Sequence, residues 1–153
     1  MADNGYVDGK VIVVTGGGGG FGRLISQQAS ERGAKMVCAD INAEAAEETA
    51  ALVRASGGEA ISVKADVTSA EEMAALATKA VEAFGQIDVM INNAGIMPLA
   101  FFADHKEALS AWHRCIDINF RGVLNGMVAV HDQMLSQGRG HIINVSSIYG
   151  NFP

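Results

Sequence analysis

Five consecutive glycines separate an apolar, β-branched stretch from an amphipathic one in KVIVVTGGGGGFG, residues 10 to 22. KVIVVTG is continuous in apolar character rather than alternating, which suits a strand covered on both faces and hence a parallel sheet. The following FGRLISQQASERG sets Phe21, Leu24, Ile25 and Gln28/Ala29 at helical spacing and stops at Gly33, a residue that favours helix termination. The glycines therefore join a strand to a helix, and both flanks argue against a flexible linker. Such a turn lets backbone N–H groups approach a pyrophosphate closely, because no Cβ intervenes and positive φ is accessible. The helix starting near Gly20 adds partial positive charge and unpaired N–H donors at its first turn.

The alternation continues along the chain. AKMVCAD (34–40) is expected to form a second strand, and Asn42 caps a helix over 43–55 that ends at Gly57-Gly58. EAISVKAD (59–66) is a third strand, after which Thr68 and Glu71 form a capping box opening a helix that ends at Gly85. QIDVMINNAG (86–95) is a fourth strand running into a turn. A long helix is expected from about Ser110 to Ser136, with Trp112, Ile116, Val123, Met127, Val130 and Met134 along its apolar stripe. GHIINVSS (140–147) is the fifth strand. This βαβ pattern predicts an α/β fold, a Rossmann-type doubly wound parallel sheet with helices on both faces, as one domain over residues 1–153. Ligands of such sheets bind outside the carboxyl ends of the strands, at the switch in strand order.

Charge and composition narrow the partners. A net charge of -6 and no basic stripe exclude nucleic acid as a partner, since neutralising phosphates takes clustered Lys and Arg. Apolar runs such as VIVV are far shorter than a membrane-spanning helix requires, and MADNGYVDGK lacks the layout of a leader, so a soluble cytoplasmic protein is expected. Cys38 and Cys115 are too far apart to form a CxxC pair and are expected to be buried small hydrophobes. His105, His113, His131 and His141 show no ligand spacing, so no metal is expected.

The glycine run does not identify its own subclass. Gly17, Gly19 and Gly22 satisfy GxGxxG; Gly16, Gly20 and Gly22 satisfy TGxxxGxG; Gly16, Gly19 and Gly22 satisfy TGxxGxxG. Asp40 ends the second strand 18 residues after Gly22, where a carboxylate can accept hydrogen bonds from adenosine ribose hydroxyls. The same charge repels a 2′-phosphate, and no Arg or Lys stands in the turn or immediately after Asp40, so NAD is favoured over NADP. Gly18 and Gly19 within the turn, and Ile41 beside Asp40, join the candidate cofactor contacts.

NNAG (92–95) at the end of the fourth strand, TGxxxGxG and NVSS together resemble the short-chain dehydrogenase/reductase family, in its simpler non-epimerase branch. The resemblance covers essentially the whole chain. It implies that Gly16, Gly20 and Gly22 are the pattern glycines, and that Phe21 contributes backbone to the pyrophosphate site. It further implies that Asp66 and Val67 contact adenine, and that Asn93, Ala94 and Gly95 line the cofactor. By the same resemblance Asn119 is the helix asparagine of a catalytic tetrad and Ser147, second of the Ser146-Ser147 pair, the catalytic serine that orients the substrate oxygen. Gly122 and Gly126 each cost about 1 kcal/mol inside a helix; close helix packing, such as that of a dimer interface, would offset this.

The family's proton donor and acceptor is the tyrosine of a YxxxK motif beyond the serine, with a lysine that lowers the tyrosine pKa. The sequence ends six residues after Ser147, and Tyr149 is no substitute because Pro153 stands four positions on. The fifth strand would also sit at an unprotected sheet edge. The expectation is therefore an N-terminal part holding strands one to five of seven, inactive alone and homo-oligomeric (dimer or tetramer) when full length. The expected function is an NAD-dependent oxidoreductase moving hydride between an alcohol and a ketone, with a hydrophobic substrate suggested by IMPLAFF (96–102). The alternatives are a non-catalytic NAD-binding or redox-sensing module, or a structural partner subunit.

Overall fold

Val11–Thr15 is buried at every residue and forms the central strand, β1. The computed structural model describes residues 5–147, so Tyr149 and Pro153 lie outside the described residues. Around β1 stand β2 (Lys35–Asp40), β3 (Glu59–Lys64), β4 (Val89–Asn92) and β5 (His141–Asn144), in the order β3-β2-β1-β4-β5. All pairings are parallel, with Val13 opposite Val37 on one side and Met90 on the other. The chain runs outward from β1 to β3 and then crosses back to β4. The turns after β1 and β4 therefore face each other across a crevice at the carboxyl edge, the position where such sheets bind ligands.

Alternate residues of β1 serve opposite faces, as strand geometry requires. Val11 and Val13 pack with Met73, Leu76 and Val130, whereas Ile12 and Val14 pack with Met36, Cys38, Ala50 and Val53. The first face is covered by α3 (Ala70–Phe84) and α5 (Gly122–Gln137), the second by α1 (Gly20–Ser30) and α2 (Ala43–Ala55). Each fully buried Val or Ile contributes roughly 1.5–3 kcal/mol over its exposed state. Cys38 is fully buried and its thiol is pushed up by that burial, which makes it a small hydrophobe as expected. Cys115 is only half-buried, against expectation.

The elements match the expected order, with local shifts that have physical causes. Asn42 caps α2, its side chain accepting from Glu44 N–H at 3.0 Å and Ala45 N–H at 3.1 Å. The cap of α3 is Ser69 rather than Thr68, because Thr68 spends both its N–H and its hydroxyl on Asp66 Oδ1. In α1 the buried residues are Gly22 and Ser26, while Phe21 and Leu24 of the expected apolar stripe are exposed.

The long helix is two helices, α4 (His105–Ile116) and α5, joined through a π-helical turn, Asp117–Arg121. Its buried row is Gly122, Gly126, Val130 and Met134, so Val130 and Met134 of the expected stripe are buried, Trp112, Val123 and Met127 are half-buried, and Ile116 is exposed. The glycines are needed within the chain. A Cβ on Gly122 would come within 2.7 Å of Val67 Cγ2, and one on Gly126 within 2.0 Å of Asn92 Oδ1. Close packing of these two glycines therefore occurs within the chain, against Val67 after β3 and Asn92 of β4.

Candidate functional site

The glycine turn has one register that its backbone demands. Gly16 and Gly20 adopt positive φ, +63° and +50°, and a Cβ on Gly22 would lie 2.1 Å from the Gly16 carbonyl oxygen. Gly19 is extended, at φ -164° and ψ -177°, with nothing within 4 Å of a built Cβ. Of the three registers, only Gly16, Gly20 and Gly22 place glycine where another residue would be strained or would clash. Gly19 caps α1 without a side-chain hydrogen bond, so the first-turn N–H groups of α1 are available to an anion.

The ends of β1 and β4 are laced together by Thr15 and Asn93. Thr15 Oγ1 accepts from Asn93 N–H at 3.1 Å and Ala94 N–H at 3.2 Å, and Asn93 Nδ2 donates to the Thr15 and Gly16 carbonyls. This brings Asn93, Ala94 and Gly95 beside the turn, with Ala94 Cα 2.9 Å from a Cβ built on Gly16. Thr15 was missing from the candidates, although it is the threonine of TGxxxGxG; its role lies in a buried hydroxyl that only the strand pairing reveals.

Asp40 is held by backbone. Its Oδ2 accepts from Gly18 N–H at 3.0 Å and its Oδ1 from Asn42 N–H at 2.9 Å. A carboxylate offers about four lone-pair positions, so acceptor capacity remains. Arg23, one residue past the turn, is already engaged: Nη2 donates to the Gly18 carbonyl and to Glu48 Oε2, each at 2.7 Å, and Nε to Thr49 Oγ1.

A cavity of about 190 Å³ opens beside Asp40 and is lined by Gly16, Ile41, Asp66, Val67, Arg114 and Ile118, among others. It shares Gly16, Asp40, Ala94 and Gly95 with a shallower groove that continues past Gly19, Phe21 and Asn93. Thus the structure gathers all the expected cofactor contacts except Gly18, Gly20 and Gly22 on the walls of one groove, and those three build the turn behind it. A larger cavity, about 290 Å³, lies at the C-terminal ends of α1 and α2 near Ser30, Glu31 and Ser56, away from these residues.

Asn119 occupies the π-helical turn, a distortion that recurs at functional sites. Its side chain pairs with one residue of the loop after β4: Ile96 N–H donates to Oδ1 at 2.9 Å, and Nδ2 donates to the Ile96 carbonyl at 2.7 Å. The side chain is exposed, and Gly95 passes beside it. Cys115 Sγ lies 3.5 Å from the same Ile96 carbonyl.

Ser146 and Ser147 stand beyond β5 at the carboxyl edge of the sheet and are exposed. β5 is tied to β4 there by Asn92 Nδ2 donating to Asn144 Oδ1 at 2.8 Å and by Val145 N–H donating to the Asn92 carbonyl at 2.9 Å. One YxxxK spacing does occur in the sequence, at Tyr6 and Lys10. It precedes β1 at the end opposite Gly16, with Lys10 Nζ 5.3 Å from the Tyr6 ring centroid and 4.0 Å from Asp88, so it cannot serve this groove.

The family model for short chain dehydrogenases matches residues 10–153. The chain is 40% identical over 144 residues to an uncharacterized oxidoreductase of Listeria monocytogenes, covering 94% of this chain and 57% of that protein. It is 37% identical over 145 residues to 2,5-dichloro-2,5-cyclohexadiene-1,4-diol dehydrogenase LinX of Sphingobium indicum, covering 95% and 57%. The crystal structure of an NAD+-bound xylitol dehydrogenase is similar with a TM-score of 0.89 at 36% identity, over 96% of this chain and 56% of that one. The chain spans a little over half the length of each.

Proposed function

The chain belongs to the short chain dehydrogenase family, and on that premise we propose that the protein is an NAD-dependent oxidoreductase acting between a secondary alcohol and its ketone. The observation that carries the choice of NAD is the Asp40 carboxylate, fixed by two backbone N–H groups at the mouth of the cavity beside the glycine turn. A carboxylate so placed suits a pair of ribose hydroxyls and repels a 2′-phosphate. The N–H groups at the start of α1 suit the pyrophosphate, Asp66, Val67 and Ile41 the adenosine end, and Asn93, Ala94 and Gly95 the side of the cofactor nearest β4.

When bound, the nicotinamide would supply the hydride acceptor for the carbinol carbon, and the hydroxyl proton would leave to the family's YxxxK tyrosine, expected beyond Ser147. Ser147 at the carboxyl edge would hydrogen-bond the substrate oxygen and stabilise charge as the bond to hydrogen breaks. Asn119 fixes the loop after Gly95 through its two bonds to Ile96, which holds that wall of the site in place. The loop also exposes Met97, Leu99, Phe101 and Phe102, with Phe102 stacked on Trp112 at 6.0 Å, and this surface favours a substrate with an apolar body.

NAD titration of the full-length protein, run beside a panel of secondary alcohols and read as NADH formation, tests the assignment. Turnover with NAD, lost in Ser147→Ala while NAD affinity is retained, is the expected result. Binding without turnover on any alcohol would instead favour a non-catalytic NAD-binding module.

A further inference from the structure

Among the described residues, Arg114 is the one cation on the wall of the cavity beside Asp40, and nothing in the cofactor assignment accounts for it. It lies on α4 one turn before Ile118, which lines the same cavity. Among the described residues its side chain makes no hydrogen bond or ion pair, whereas Arg121, seven residues on, is paired with Asp117. The remaining walls combine two carboxylates, Asp40 and Asp66, with apolar Ile41, Val67 and Ile118. The two acids disfavour a phosphate, and the apolar walls suit a flat ring. At about 190 Å³ the space is smaller than the roughly 300–1,000 Å³ of a whole-ligand pocket, which fits one ring system rather than a dinucleotide.

We propose that Arg114 is the base-binding residue of this cavity: its guanidinium plane lies on the adenine and closes the subsite from the α4 side. A planar, weakly hydrated cation stacks on an aromatic face in a way that an ammonium does not. Arg114 is exposed and has no side-chain partner among the described residues, so it is available to make this contact. The inference rests on the groove being a dinucleotide site.

The test titrates NAD, ADP-ribose and nicotinamide mononucleotide against the native protein, Arg114→Met and Arg114→Lys, with unfolding temperatures measured in parallel. Arg114→Met is expected to bind NAD and ADP-ribose about tenfold more weakly, the size of a partly desolvated cation–π contact. Nicotinamide mononucleotide, which lacks the adenine, should be unaffected, Arg114→Lys should lose most of the same increment, and the unfolding temperature should not move. Unchanged affinity in Arg114→Met overturns the inference. So does an equal loss for nicotinamide mononucleotide, which would mean long-range attraction of phosphate, and so does full retention in Arg114→Lys. A native protein that binds none of the three ligands overturns the dinucleotide assignment itself, and the inference with it.

Discussion

Gly18 N–H donates to Asp40 Oδ2 at 3.0 Å, so the turn after β1 and the acid that ends β2 form a single unit. A Cβ on Gly18 would meet that same oxygen at 2.9 Å, and the other oxygen is held by Asn42, the cap of α2. The carboxylate is thereby oriented before any ligand arrives, which lowers the ordering cost of binding. Asp40→Ala is expected to weaken NAD by about 10- to 100-fold, the equivalent of the roughly 1.5–3 kcal/mol of a hydrogen bond to a charged group. NADP should be unaffected or improved. Fluorescence titration with both cofactors decides: an equal loss for both would mean that the turn, not ribose recognition, had suffered.

Two glycines of the turn should respond unequally to the same change. Gly22→Ala forces a Cβ to 2.1 Å from a backbone oxygen and 2.9 Å from Asn93 Nδ2, and backbone cannot swing aside as a flexible side chain would. A loss of about 1–3 kcal/mol is expected from overpacking, beyond the small gain of alanine over glycine in a helix. Gly19→Ala meets nothing within 4 Å and should stay within about 0.5 kcal/mol of the native protein. Urea denaturation of the two variants tests the register directly, since GxGxxG and TGxxGxxG both require Gly19.

The sheet and most of its helices were legible in the sequence because their signals are local. The β-branched run of β1, the Asn42 cap and the glycines at 57 and 85 each act within a few residues. What was not legible depends on partners distant in sequence. The buried row of α5 includes Val130 and Met134 of the apolar stripe, but it is completed by Gly122 and Gly126, because Val67 and Asn92 occupy the space where larger side chains would have gone. Asn119 is named by the family resemblance, yet its partner is the backbone of Ile96, which no sequence period could indicate. The roles of Thr15 and Arg114 are not legible from sequence for the same reason: one acts across the sheet on Asn93, the other reaches the cavity from α4.

Gly126 separates packing within the chain from packing between chains. Its missing side chain admits Asn92, which is 3% exposed and donates through Nδ2 to Asn144 on β5. Gly126→Ala should displace this amide and destabilise the protein by about 1–3 kcal/mol, the cost of overpacking. Denaturation alongside sedimentation checks it. If stability is unchanged and only the oligomeric state shifts, the glycine serves a protomer contact and its intramolecular role is wrong.

Asp88 makes acid stability a readable property of the far end of the sheet. It is 3% exposed, ahead of β4, and its Oδ2 accepts from Val11 N–H at 2.9 Å and Gln86 Nε2 at 2.7 Å, its Oδ1 from Arg139 Nε at 3.1 Å. Burial alone would raise its pKa, but the hydrogen bonds from Val11 and Arg139 and the charges of Lys10 and Arg139 outweigh it, leaving the group below the ordinary value. A carboxyl depressed on folding contributes stability that is fully present above its unfolded pKa of about 3.9 and is lost as pH falls through its folded value. Asp88→Asn should therefore cost about 1–3 kcal/mol near neutral pH, where buried donors lose their charged acceptor. It should also flatten the fall in stability below about pH 4, because the variant has no proton to take up there. Unfolding free energies from pH 7 downward give both quantities, and acid limbs that run parallel in the two proteins would show that Asp88 does not hold this end of the sheet through its charge.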